Sequence, residues 1–207
     1  MAKALISIDY TNDFVADDGL LTAGKPAQAI EKVISKVTLD AFEAGDYIFF
    51  AIDGHDKGDQ FHPETKLFPA HNIMGTSGRH LYGALGELYQ DIKDNASVFW
   101  IDKRYYSAFS GTDLDSRLRE RRVDTLVLTG VLTDICVLHT AIDAYHLGYK
   151  IQVVEKAVAS LSDSNHNWAL QHMSSVLAKQ KSYKKNAVEN EKNLLIMDSI
   201  KSTILFL

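Results

Sequence analysis

Four of five short apolar runs in this chain lead into a residue that can do chemistry. Lys3–Asp9 (KALISID) closes on Asp9, Asp46–Asp53 (DYIFFAID) on Asp53, and Ser97–Lys103 (SVFWIDK) on Lys103. Asp124–Gly130 (DTLVLTG) leads into a turn that carries Cys136, and Lys150–Glu155 (KIQVVE) is the fifth run. Nearly continuous apolar runs of this length are strands buried on both faces, the habit of parallel sheets covered by helices. Helical spacing fills the gaps. Pro26–Gly45 repeats apolar residues at Ala29, Ile30, Val33, Ile34 and Val37, with Pro26 in its first turn and Gly45 as its stop. Asp113–Arg122 predicts a solvated helix. Thr133–Leu147 predicts one with Leu138, Ala141, Ile142 and Tyr145 on a single face, and Asn165–Ala178 predicts the last. Gly54–Arg79 is rich in His, Gly and Pro without a steady period, and reads as a long loop. The expected fold class is α/β: three layers, a mostly parallel open sheet with helices on both faces.

Composition narrows the function classes. A single cysteine excludes an internal disulfide framework, and 46% hydrophobic with 24% charged residues excludes large-scale disorder. A net charge of −5 argues against a nucleic-acid partner, because phosphate binding needs a basic face. No apolar run approaches the roughly 18 residues of a membrane span. The N-terminus meets Asp9 too early for a signal peptide. The expectation is a cytoplasmic protein without a membrane partner. Six lysines after residue 178 outnumber Glu189, Glu191 and Asp198, so the negative charge is concentrated in the first 178 residues. The chain divides into a catalytic domain, 1–178, and a C-terminal tail, 179–207. The tail is polar over 180–193 and strongly apolar over 194–207, which suits a last strand, a partner-facing helix or a poorly ordered end.

Ligands of open parallel sheets bind outside the carboxyl ends of the strands. Asp9, Asp53, His55, Lys103 and Cys136 are therefore expected to converge. Cys136 sits near a helix N-terminus, where backbone N–H groups and the helix dipole favour a thiolate, and a nearby Lys103 ammonium would favour it further. With Asp9 to take the proton, these are the parts of an activated nucleophile, and the turn Gly130–Cys136 could hold an oxyanion on its N–H groups. Singly, each residue has a plainer reading: a buried small hydrophobe, a turn cap, a solvated strand end. Their joint placement at strand ends points to catalysis.

A second cluster is Asp53 and His55, on one side of an extended segment, with Glu64 and His71 brought back by the loop. Two carboxylates and two imidazoles suit a borderline divalent ion such as zinc, iron or manganese. The plainer reading is a surface loop with solvated histidines, His62 and His80 included. His139, His146, His166 and His172 read as structural or exposed. Phe14, Phe68, Tyr106 and Phe109 could wall a pocket, although each aromatic alone reads as core packing.

Five segments taken together resemble nicotinamidases of the isochorismatase-like cysteine hydrolases, most nearly the bacterial, streptococcal-type ones. They are Ile8-Asp9-Tyr10-Thr11-Asn12-Asp13-Phe14, Asp53-Gly54-His55 with Phe61-His62-Pro63-Glu64, Leu67-Phe68-Pro69-x-His71, Lys103 through Phe109, and Thr129 through Cys136. The resemblance covers about residues 1–178. It implies a triad of Asp9, Lys103 and Cys136, and a divalent metal, zinc foremost, held by Asp53, His55, Glu64 and His71. It also implies a cis peptide at Val131–Leu132, aiming the N–H groups of Leu132 and Cys136 at an oxyanion. Phe14, Phe68, Tyr106 and Phe109 would bind substrate. The implied activity is that of an amidohydrolase on linear amides: hydrolysis of nicotinamide, and of pyrazinamide-like analogues, through a thioester in NAD salvage. The implied assembly is a homo-oligomer. Three other readings make separate predictions. A related cysteine amidohydrolase would prefer another small carboxamide, a sensor thiol would release no ammonia, and a metallohydrolase would survive loss of Cys136.

Overall fold

Asp53 and Lys103 stand side by side at the end of one sheet, and the register of that sheet explains why. The computed structural model describes residues 2–177 and 204–206. Its strands are β1 (Ala2–Ile8), β2 (Tyr47–Asp53), β3 (Val98–Lys103), β4 (Val123–Val131), β5 (Lys150–Ala159) and β6 (Ile204–Phe206). They lie in the order β3-β2-β1-β4-β5-β6. The first five are parallel, and β6 runs antiparallel along β5. Ile8 pairs with Ala51 on one side and Gly130 on the other, and Asp53 pairs with Lys103. The carboxyl ends of four strands are thus level. The strand order reverses beside β1, and such a switch point leaves a crevice at the carboxyl edge.

The helices are α1 (Asn12–Val15), α2 (Lys25–Ala29), α3 (Glu31–Glu43), α4 (Gly83–Ile92), α5 (Leu114–Glu120), α6 (Leu138–His146) and α7 (Asp163–Val176). Side chains alternate across a strand, and β1 shows the consequence. Ala4, Ile6 and Ile8 pack with Leu118, Ala141 and Met173, from α5, α6 and α7. Leu5 packs on the opposite face with Ile34 of α3 and Leu85 of α4. Both faces of the sheet are covered, which gives the three expected layers.

Several details depart from the sequence reading. The helix expected over Pro26–Gly45 is broken at Ile30 into α2 and α3. β5 runs on to Ala159, past the exposed Glu155–Lys156 pair, because the pairing with β4 shifts register there. α4 occupies a stretch with no assigned element. The loop expected over Gly54–Arg79 contains short 3-10 turns at Pro63–Lys66 and Ser77–Arg79. The helix expected from Thr133 begins as a π-turn, Thr133–Val137, in which the Val137 N–H reaches the Leu132 carbonyl at 3.1 Å. Of the C-terminal tail, 179–203 and Leu207 lie outside the described residues, and the expected last strand is present as β6 alone.

Candidate active site

Gly130 brings β4 close to β1 immediately before the cysteine turn. Its φ is +112°, and a Cβ there would lie 1.9 Å from the Ile8 carbonyl oxygen, so no other residue fits. The Val131–Leu132 peptide that follows is cis, as the resemblance implies. Cys136 then sits in the π-turn, a geometry often found at functional positions. Two residues that sequence reasoning passed over tie this turn to the start of α7. The Asp134 carboxylate accepts hydrogen bonds from the Ser160 hydroxyl and the Asn165 amide. The Thr133 hydroxyl and His166 Nδ1 are 2.9 Å apart. His166 was expected to be structural or exposed, and its partner sits three residues from Cys136.

Asp9, Lys103 and Cys136 come together in the interior. Lys103 is 1% exposed. Its Nζ lies 2.7 Å from Asp9 Oδ2, 3.7 Å from Cys136 Sγ and 3.8 Å from Asp53 Oδ1. Asp9 Oδ1 accepts the Asp53 N–H at 2.7 Å, which fixes the carboxylate against the end of β2. Burial works against the ammonium, but Asp9, Cys136 and Asp53 outweigh it and hold Lys103 charged, above the usual lysine range. Burial pushes the Asp9 carboxyl up from the usual range. The Cys136 thiol is also pushed up, well beyond an ordinary cysteine, because burial and the Asp9 charge exceed the pull of Lys103. The sequence reading favoured a thiolate from the helix terminus and Lys103, and desolvation reverses that preference. A cysteine of this kind needs a base, and Asp9 stands beside the same ammonium.

Asp53, His55, Glu64 and His71 form the second cluster, all buried, with one donor atom from each within 4.8 Å of all the others. Backbone pairing assembles it: the His55 N–H donates to the Asn72 carbonyl, and the Met74 N–H donates to that of His55. His71 Nδ1 donates to the Pro69 carbonyl at 2.7 Å, which leaves Nε2 with its lone pair. That Nε2 and Asp53 Oδ1 are buried without a hydrogen-bond partner. Nε2 stands 3.3 Å from Asp53 Oδ2 and 3.6 Å from Glu64 Oε2. Buried polar atoms of this kind require a partner, and two imidazoles with two carboxylates fit a divalent cation. His62 is buried beside the cluster and outside it, so the plainer reading of a solvated loop histidine does not hold for it. His80 is exposed, as expected.

An apolar cavity of about 490 Å³, its open mouth included, adjoins both clusters. Cys136 and Glu64 line it together with Phe14, Phe68 and Tyr106. Leu21, Val131, Leu132, Ile135 and Leu161 complete the wall; the cysteine-turn segment marked Val131, Leu132 and Ile135, and no sequence signal marked Leu21 or Leu161. Phe109 is not part of it: its ring stacks on Tyr149 at 5.8 Å and packs against the core on the α5–α6 side.

The family model for the isochorismatase domain matches residues 3–182. A solved pyrazinamidase/nicotinamidase from Streptococcus mutans UA159 is 74% identical, covers 85% of this chain and 97% of its own, and superposes with a TM-score of 0.84. The nicotinamidase/pyrazinamidase of Bacillus subtilis is 53% identical over 86% of this chain and 97% of its own, with a TM-score of 0.84. A pyrazinamidase from Pyrococcus horikoshii, solved in complex with zinc, is 27% identical over 84% and 96%, with a TM-score of 0.73. The parallel sheet, the buried acid–amine–thiol group at its carboxyl edge and these likenesses agree, and the chain belongs to the isochorismatase family.

Proposed function

We propose that this protein is a nicotinamidase, an amidohydrolase that converts nicotinamide to nicotinate and ammonia, and that it serves NAD salvage. One observation carries the reading. A single aromatic-walled cavity has the thiol of Cys136 and a carboxylate of the metal-ligand set on its lining. A flat pyridine ring with a carboxamide matches that arrangement of walls and polar groups. The most similar solved relatives described above are nicotinamidases and pyrazinamidases, which supports the same substrate class.

In this reading Asp9 takes the proton of Cys136, and the sulfur attacks the carboxamide carbon. The N–H groups of Leu132 and Cys136 hold the oxyanion. Asp9 then gives its proton to the departing nitrogen as the C–N bond breaks, leaving a thioester and ammonia. Water attacks the thioester, Asp9 accepts a proton from it, and as the C–S bond breaks Asp9 returns that proton to the departing sulfur, which releases the pyridine acid (nicotinate once ionised) and regenerates the thiol. Lys103 keeps the charge of the pair balanced throughout. Phe14, Phe68 and Tyr106 exclude water and orient the ring. A divalent ion, zinc foremost with iron or manganese as alternatives, would be held by Asp53, His55, Glu64 and His71 and would supply an anchor for the ring nitrogen.

Ammonia release tests this reading. The wild type is expected to release ammonia from nicotinamide and pyrazinamide faster than from aliphatic amides. Cys136→Ala is expected to lose at least about a thousandfold in rate. Chelation should abolish turnover, and resupply of single metals should restore it. Activity retained by Cys136→Ala would overturn the thioester route.

A further inference from the structure

His62 lies in the histidine-rich loop, two residues from Glu64, yet it is not one of the four converging donors. It is 4% exposed, and both of its ring nitrogens are committed elsewhere. Nδ1 accepts the Glu64 N–H at 3.2 Å, capping the short turn Pro63–Lys66 that carries the Glu64 carboxylate. Nε2 lies 2.7 Å from the carbonyl of Arg104 and, with Nδ1 accepting, must be the nitrogen that donates. Arg104 directly follows Lys103 at the end of β3. The His62 ring also abuts that of His55, tilted at 53° with centroids 4.0 Å apart.

One imidazole therefore touches three things at once: the turn that aims Glu64, the ring of His55, and the strand end that delivers Lys103. We infer that His62 is a positioning residue. It sets the separation of Glu64 from His55 and locks the metal-ligand loop to the catalytic strand. Its two nitrogens are what hold it out of the ligand set. The inference rests on the metal reading above. Partners that orient a ligand without binding the ion typically change metal affinity 10–100-fold when removed.

The two bonds can be removed separately. The side-chain oxygen of asparagine can stand in for the accepting Nδ1, and the amide nitrogen of glutamine for the donating Nε2. Divalent-ion affinity is measured by competition with a chromophoric chelator, well below each variant's Tm, for wild type, Glu64→Gln, and the Ala, Asn and Gln variants at position 62. His62→Ala is expected to bind zinc and manganese at least about tenfold more weakly. His62→Asn should recover part of that loss. At limiting metal the apparent kcat for nicotinamide should fall in proportion to the metal lost, at nearly unchanged KM, and excess metal should restore it. A merely structural role would lower Tm while leaving the affinity and the metal rescue unmoved. Wild-type affinity in both His62→Ala and His62→Asn, with Glu64→Gln impaired, would overturn the inference alone. Unchanged affinity in Glu64→Gln would instead overturn the metal reading. Should the alanine variant fail to fold, the asparagine and glutamine variants decide the question.

Discussion

Lys103 is the charge on which the interior depends. It is nearly inaccessible and lies 2.7 Å from one carboxylate and 3.8 Å from another. Removing one partner of a buried ionic group leaves uncompensated charge, at a cost of about 3–5 kcal/mol. For a domain of this size that corresponds to a Tm roughly 6–20 °C lower. Lys103→Met is therefore expected to be inactive and destabilised, and the destabilisation should depend on pH. Burial raises the Asp9 pKa in the fold, so an ionised Asp9 costs more there than in the unfolded chain. A group with a raised folded pKa contributes stability below its unfolded value and loses it as pH rises through the folded one. With the ammonium gone this behaviour is unopposed, and the Tm deficit should be larger at pH 8 than at pH 5. Thermal melts of metal-free wild type and variant at both values check this, and an equal deficit at both would contradict it. Asp9, Lys103, Cys136, Asp53 and His55 were legible because they stand at or just beyond strand ends, where topology forces convergence, and Glu64 and His71 because they lie in the histidine-rich loop that follows. Phe109 was not, since an aromatic in a loop gives no sign of whether it faces a cavity or, as here, Tyr149. The raised proton affinity of Cys136 has a related cause: sequence shows neighbouring charge but not depth of burial.

The strands were readable because each is an apolar run with a polar end, and the exceptions have physical causes. α4 leaves little trace in the sequence because Gly83 and Gly86 interrupt its pattern and only Leu85 and Ile92 along it are buried. β5 was read short because Glu155 and Lys156 break its apolar run where the register with β4 slips. The break of the long helix at Ile30 has no sequence mark, since Ile30 keeps a near-helical backbone. The β4-to-π-turn junction has a plainer signature, a glycine before the cysteine turn, and two substitutions separate its causes. Gly130 and Gly148 both have positive φ, +112° and +83°. A Cβ at Gly148 meets nothing within 4 Å, whereas at Gly130 it strikes the Ile8 backbone. Gly148→Ala is expected to cost only the conformational penalty of about 1–2 kcal/mol and to leave kcat unchanged. Gly130→Ala must push β4 away from β1, displacing Cys136 from Lys103, and should yield an inactive protein that is insoluble or melts far lower. Melting curves and ammonia release for the pair settle it, and a soluble, active Gly130→Ala would show that the close approach is not required.

At the scale of the whole molecule, the chemistry is concentrated at one edge and the C-terminal end of the chain reaches another part of the sheet. β6 pairs with Gln152, Val153 and Val154, near the start of β5. The cavity lies by the opposite end, where Gly130 and Val131 pair with Val158 and Ala159. Among the described residues, every proposed catalytic residue and metal ligand precedes residue 137, and no helix is long and apolar enough to cross a membrane. We therefore treat 1–178 as the catalytic domain and 179–207 as an addition to it. A chain ending at residue 178 should keep kcat/KM for nicotinamide within about twofold of the full chain and bind the same amount of metal. It should differ in association. Without Ile204–Phe206, the N–H and C=O groups that β5 turns toward β6 are unpaired, and an open strand edge templates pairing with another chain. Light scattering should accordingly show more self-association in the shortened chain, at equal activity per folded molecule. A tenfold loss of kcat/KM would mean that the tail supports the site through contacts beyond this edge, and the division at 178 would have to be abandoned.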